Sequence, residues 1–116
     1  MKTEFDQFLP LSTAALHILL ALSNEDRHGY GIMQEIARQS GGQYKLGPGT
    51  LYDNLEKLLG KGFVQEAPKR SPQDDPRRRY YRLTGTGRRL LAAELARLEG
   101  VVREGKAKLR LNPRRA

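Results

Sequence analysis

Residues 49–64 constrain the fold of this chain more than any other stretch. In Gly49-Thr50-Leu51-Tyr52-Asp53-Asn54-Leu55-Glu56-Lys57-Leu58-Leu59-Gly60 the leucines recur at the i, i+4, i+7, i+8 spacing of one buried helix face. Thr50, Asp53, Asn54, Lys57 and Lys61 are left for the opposite side. Gly60-Lys61-Gly62 then runs straight into Phe63-Val64, a change from helix to strand. After a break rich in Pro, Asp and Arg comes Arg77-Arg78-Arg79-Tyr80-Tyr81-Arg82-Leu83-Thr84, which can return as a second strand. The pattern predicts a short helix joined directly to a hairpin with a basic tip.

The rest of the chain reads as a scaffold for that unit. Residues 1–11 form an arm in which Phe5, Phe8 and Leu9 can pack, with a short helix stopped by Pro10. Ser12 or Thr13 can accept from free amides at the start of a helix over Thr13–Leu22. That helix is apolar nearly all round and should be the central core element. Asn24 to Gly29 reads as a polar turn. A second helix is expected from about Tyr30 to Gln39, burying Ile32, Ile36 and Ala37 and ended by Gly41-Gly42. Pro48 suits the first turn of the third helix. Phe63–Ala67 and Arg79–Leu83 should pair, with Tyr81 and Leu83 inward and Tyr80 and Arg82 outward. Prolines between Pro68 and Pro76 discourage further pairing.

Thr84 should cap a last helix reaching about Leu111; with Gly85 and Gly87 behind it, no capping box forms. Leu91, Leu95, Leu98, Val102 and Leu109 approach a heptad seam, interrupted at Gly105. At about 1.5 Å per residue the helix would be roughly 40 Å long, more than one small domain covers. A second copy of the chain is the simplest partner for that seam.

Composition narrows the partners. A chain of 116 residues makes one domain with a modest core. Its 21 Lys and Arg against 13 Asp and Glu leave a net charge of +8, which suits a polyanion. The charge is clustered: six Lys/Arg against two Asp lie between Lys69 and Arg82, and six against one Glu from Arg103 onward. The absence of cysteine excludes a disulfide frame, a thiol nucleophile and a thiolate metal site. His17, inside the apolar helix, and His28, in the turn, are isolated and expected to pack or cap rather than bind metal. Nothing resembles a nucleophile–base pair, a phosphate-cradling loop or paired catalytic carboxylates, so neither an enzyme nor a cofactor is expected. The run from Ala14 to Leu22 is too short to span a bilayer. Glu4 and Asp6 ahead of it, with no small-residue cleavage site behind, do not resemble a signal peptide. A cytoplasmic protein is expected.

Helix, hairpin and basic tip together predict a mainly α, α+β winged helix-turn-helix, in which the third helix enters a DNA groove and the tip grips phosphate. Three blocks resemble the PadR family of bacterial winged-helix transcriptional regulators. They are His28-Gly29-Tyr30-Gly31-Ile32, then Gly49-Thr50-Leu51-Tyr52 through Leu58 with Gly62-Phe63-Val64, and Arg79-Tyr80-Tyr81-Arg82-Leu83-Thr84 with Gly87. Each alone is weak; in this order and spacing, from residue 12 to about 91, they are quite specific. The resemblance implies a homodimer with interlocked C-terminal helices that binds a palindromic operator and is often released by a small ligand. Two departures stand out: Asp53 where proline is common, and Gly85 and Gly87 where an acidic residue usually follows Leu-Thr. MarR regulators share the helix-turn-helix geometry, but they are usually longer and build their dimer from both ends. A winged helix that binds only protein would not need so basic a wing and tail.

The expected organisation is an arm at 1–11, a winged helix-turn-helix at 12–84, a dimerisation helix at 85–111 and a basic tail at 112–116. Candidate contacts to double-stranded DNA are Tyr30, Thr50, Tyr52, Asn54, Lys57, Lys61, Arg77, Arg78 and Arg79. Asn54 carries the donor and acceptor that suit an adenine edge, and Lys57 suits phosphate. Leu91, Leu95, Leu98, Val102 and Leu109 are the candidate dimer contacts. Without tryptophan there is no indole sandwich for a ligand, but a cavity lined by the last helices, the first helix and the arm could take an apolar effector.

Overall fold

The structure, a computed structural model, describes residues 4–69 and 71–111; the expected basic tail at 112–116 lies outside the described residues. A 3-10 turn at Asp6–Phe8 precedes helix α1 (Thr13–Ala21), strand β1 (Arg27–His28), helices α2 (Gly29–Gln39) and α3 (Pro48–Gly60), strands β2 (Val64–Ala67) and β3 (Tyr80–Leu83), and helix α4 (Gly85–Lys108). The fold is a winged helix: four helices and an antiparallel sheet in the order β1-β3-β2.

Local chemistry starts each helix. Ser12 Oγ accepts from the Ala15 amide at 3.1 Å, and Thr84 Oγ1 from the Gly87 amide at 2.9 Å. The cap of α2 is an imidazole: His28 Nδ1 accepts from the Gly31 amide at 3.0 Å. Leu51, Leu55 and Leu58 of α3 are buried against Ile18, Leu19, Ile32 and Ile36, while Leu59 and Ala37 are only half-buried. The arm closes the far side, with the Phe63 ring meeting Phe5 at 6.3 Å and Phe8 at 5.2 Å, both edge-on.

The sheet departs from expectation. Arg27–His28, read as part of a polar turn, pairs antiparallel with Tyr81 and Tyr80 and makes β3 the central strand. Tyr80, expected outward, is therefore 4 % exposed, its ring edge-on to His28 at 5.3 Å. Alternation predicts an exposed residue only where one sheet face is wet, and here a third strand and its histidine cover that face. Arg82 does point out and holds Asp26 through two bonds of 3.1 and 2.8 Å.

Helix α4 has two halves. Gly87, Leu90, Leu91 and Glu94 are buried on the body, and a Cβ at Gly87 would stand 2.0 Å from the Phe63 carbonyl oxygen. Glycine there admits the close helix–strand approach. At Gly85, which directly follows Leu-Thr, a Cβ would meet nothing within 4 Å, and the structure gives no reason for the missing acidic residue. Leu91, expected in the dimer seam, sits instead in the protomer's own core at 5 % exposed. Beyond it, Leu95, Val101, Val102 and Leu109 are exposed and Leu98 is half-buried. The helix ends at Lys108, three residues short of Leu111, with Arg110 at a φ of 58° behind it. Its 24 residues span about 36 Å, in a molecule measuring 55 × 32 × 23 Å. Among the described residues no helix is long and apolar enough to cross a membrane, and no cluster of His, Cys, Asp or Glu could hold a metal.

Candidate nucleic-acid interface

The nine residues expected to meet DNA divide between the two flanks of α3. Tyr30, Tyr52, Arg77, Arg78 and Arg79 surround one concavity of about 370 Å³, formed where the first turn of α2 faces the loop between β2 and β3. Asn54, Lys57 and Lys61 border a second, of about 290 Å³, whose floor is Phe8, Leu58 and Phe63 beneath the arm. Thr50, in the first turn of α3, is exposed and lines neither.

On the wing flank Tyr52 is 48 % exposed, and its phenol lies across α2. A Cβ on Gly29 would be 2.2 Å from the Tyr52 hydroxyl oxygen, so glycine at that position lets the ring lie there. The positive end of the α2 dipole adds to the field of the arginines. Asp75 also lines this concavity and is held by Arg77, which donates its amide at 2.9 Å and its guanidinium at 3.3 Å. Those bonds hold the Asp75 carboxyl below the usual carboxylate range. Among the described residues Arg78 and Arg79 form no ion pair, so three guanidiniums face one engaged carboxylate.

On the arm flank the polar groups are already occupied. Asn54 Nδ2 donates to the Thr50 carbonyl at 2.8 Å. Lys57 pairs with Asp53 at 3.4 Å, and Lys61 lies 5.6 Å from the centre of the Phe8 ring. Asn54, expected opposite the leucine stripe, is instead half-buried on its shoulder. Asn54 and Leu58 are i, i+4 neighbours, which share a helix face, so an asparagine there cannot stand opposite the leucines.

Two residues that hold this arrangement are not singled out by the sequence pattern. Glu94, 1 % exposed on α4, accepts from the Leu11 amide at 2.9 Å and from Arg97 at 2.5 and 3.1 Å. It ties the arm to α4, and the Arg97 bonds hold its carboxyl below the usual range despite burial. A signal does exist in the sequence: Glu94 lies four residues after Leu90, on the core face. Tyr81, expected only as an inward packing residue, also lines the wing concavity. Alternation says that a side chain points in, not where its far end emerges.

A sequence profile described as the Transcriptional regulator PadR-like family matches residues 18–93. A Mycobacterium tuberculosis protein named Transcriptional regulator Rv3488 is 35% identical over 89 residues, covering 77% of this chain and 78% of that protein. Among solved structures, a PadR family transcription regulator from Clostridium difficile superposes with a TM-score of 0.69 at 20% identity, over 84% of this chain and 98% of that one. The structure of Bacillus subtilis PadR in complex with operator DNA gives 0.63 at 23% identity, over 72% of this chain and 48% of that one. At those identities the two structures speak for the fold. The chain belongs to the PadR-like family of transcriptional regulators.

Proposed function

We propose that the protein is a cytoplasmic, homodimeric repressor that binds a palindromic DNA operator and is released by a small ligand. The observation that carries the DNA reading is the wing concavity, where Arg77, Arg78 and Arg79 stand beside Tyr30 and Tyr52 with two guanidiniums free of ion pairs among the described residues. Guanidiniums and phenols grip phosphate without reading sequence, so base reading falls to the exposed residues of α3. Thr50 leads there, with Lys57 and Lys61 toward the backbone; Asn54 joins them with the carbonyl and the second amide hydrogen that its bond to Thr50 leaves over. The Bacillus subtilis relative bound to operator DNA supports the same use of this fold.

The dimer reading rests on α4. Leu95, Leu98 and Val102 share one face beyond the body, and Leu109 continues it at 70 % exposed. A stripe of that kind on a short chain calls for a partner. A seat for an effector is offered by the cavity under the arm, apolar at its floor and bordered by Lys57 and Lys61. A ligand there would act on α3 directly.

Titration with operator and unrelated duplexes at several salt concentrations tests the DNA reading, with a steep fall in affinity as salt rises expected for both. Sedimentation tests the dimer: a monomer at micromolar concentration would remove that part of the reading. Ligand release is checked by screening small apolar compounds for those that both raise the melting temperature and weaken operator binding.

A further inference from the structure

The hydroxyl of Tyr81 stands apart from the other polar groups of the core. Tyr81 is 5 % exposed and its ring belongs to the hydrophobic cluster, yet it forms part of the wall of the wing concavity. Tyr81 also lies in the electrostatic reach of Tyr52, whose own hydroxyl hangs over Gly29. Among the described residues no hydrogen bond uses the Tyr81 hydroxyl, and no buried side-chain oxygen or nitrogen lacks a partner, so this hydroxyl opens to solvent at the concavity wall. A phenol whose ring is packed in the core and whose hydroxyl opens into a basic concavity is a fixed donor for an acceptor that enters from outside.

We propose that the wing concavity seats a single DNA phosphate and that Tyr81, with Tyr52 beside it, donates to that phosphate from inside the core. The assignment rests on the DNA-binding reading and deepens it. Phosphate suits the site on three counts. Its charge meets Arg77, Arg78 and Arg79 at the rim and the positive end of α2 at the base. Its several oxygens accept from more than one phenol at once. Burial pushes the Tyr81 phenol up from its usual range, so at neutral pH it keeps the proton it has to donate. The division of labour differs from that of an exposed arginine: the guanidiniums attract at a distance, whereas the two phenols fix where the phosphate stops. Gly29 is part of the device, since any side chain there displaces Tyr52.

The test uses the full chain and two duplexes, one operator and one unrelated, at three salt concentrations. Tyr81→Phe keeps the packed ring and removes only the hydroxyl, so its thermal melt should match that of the wild type. Its affinity should fall about tenfold per half-site on both duplexes, as loss of a hydrogen bond to a charged group predicts. The salt slope should stay unchanged, because a neutral phenol releases no counterions, whereas Arg79→Ala should make the slope shallower. Gly29→Ala, which moves Tyr52 rather than Tyr81, should weaken both duplexes as well. A Tyr81→Phe protein that melts like the wild type and binds both duplexes within twofold of it overturns the proposal. Wild-type protein that binds neither duplex overturns the DNA reading itself, and this assignment with it. Inorganic phosphate forms the last arm, compared with chloride at equal ionic strength. If low millimolar phosphate raises the melting temperature of the wild type but not of Tyr81→Phe, and yet leaves DNA binding unchanged, the concavity takes a soluble phosphate that DNA does not use and the DNA-backbone assignment is wrong.

Discussion

The two flanks of α3 carry similar charges and differ in how those charges are engaged. Toward the arm, Asn54, Lys57 and Lys61 each already have an intramolecular partner: the Thr50 carbonyl, Asp53 and the Phe8 ring. Toward the wing, among the described residues only Arg77 of the three arginines is in an ion pair, and the Tyr81 hydroxyl opens to the concavity without a bond. The flanks are also anchored differently. The arm is tied to α4 through Glu94 and Leu11, whereas the wing flank is set by Tyr52 lying over Gly29. Counting basic residues separates the flanks by only one, three arginines against two lysines; counting unengaged cations separates them further, because Arg78 and Arg79 form no ion pair among the described residues.

Removing what the flanks share should do most damage. Leu55 is buried beneath both, and Leu55→Ala should cost about 2–5 kcal/mol of stability through the cavity it leaves. Chemical denaturation measures this, and DNA binding should fall only in proportion to the protein that unfolds. A selective loss of operator preference in folded Leu55→Ala would show that the flanks are coupled through the core.

Next in size is the wing. Changing Arg77, Arg78 and Arg79 together to alanine should weaken binding to operator and unrelated duplex alike, by roughly tenfold to a hundredfold at moderate salt. The slope of log K against log salt should become shallower by about 0.9 for each phosphate that the variant no longer neutralises. An unchanged slope would make the arginine loop a solvated turn and erase the contrast between the flanks.

The arm flank should respond to acid. Arg97 holds the Glu94 carboxyl below its unfolded value, so its contribution is complete above about pH 4.5 and fades as pH falls through the folded value. Glu94→Gln should lose about 1–2 kcal/mol at neutral pH and show a flatter stability profile between about pH 5 and pH 3. Melting curves across that range decide it; parallel profiles for the two proteins would mean that the arm is held by its phenylalanines alone.

The smallest effect is expected at Asn54. Because its amide is already bonded to Thr50, Asn54→Ala should cost about 1 kcal/mol per half-site on the operator, the low end for a base contact. Thr50→Ala should then cost more. Competition between operator and scrambled duplex separates the two, and a larger loss at Asn54 would mean that it leaves Thr50 on binding.

Much of this protein was legible in its sequence because the signals are local and periodic. The leucines of α3, the Thr84 cap, a cap at Ser12 or Thr13, Pro48 in the first turn and the helix-to-strand change after Gly60 all act over a few residues; the structure has each of them and chooses Ser12 for the first cap. The basic loop was legible as well, since charge density needs no knowledge of contacts. Burial of Tyr80, the two-residue strand at Arg27–His28 and the core position of Leu91 were decided by tertiary structure, because each depends on what a distant segment covers. The same holds at the candidate site. Sequence placed Asn54, Lys57 and the arginines on one interface; packing put the shoulder of α3 under the arm and brought Tyr81 from a strand, Tyr52 from one helix and Gly29 from another around a single concavity. Periodicity assigns a residue to a face of its own element, whereas a binding site forms between elements, and only the packed chain determines which faces meet.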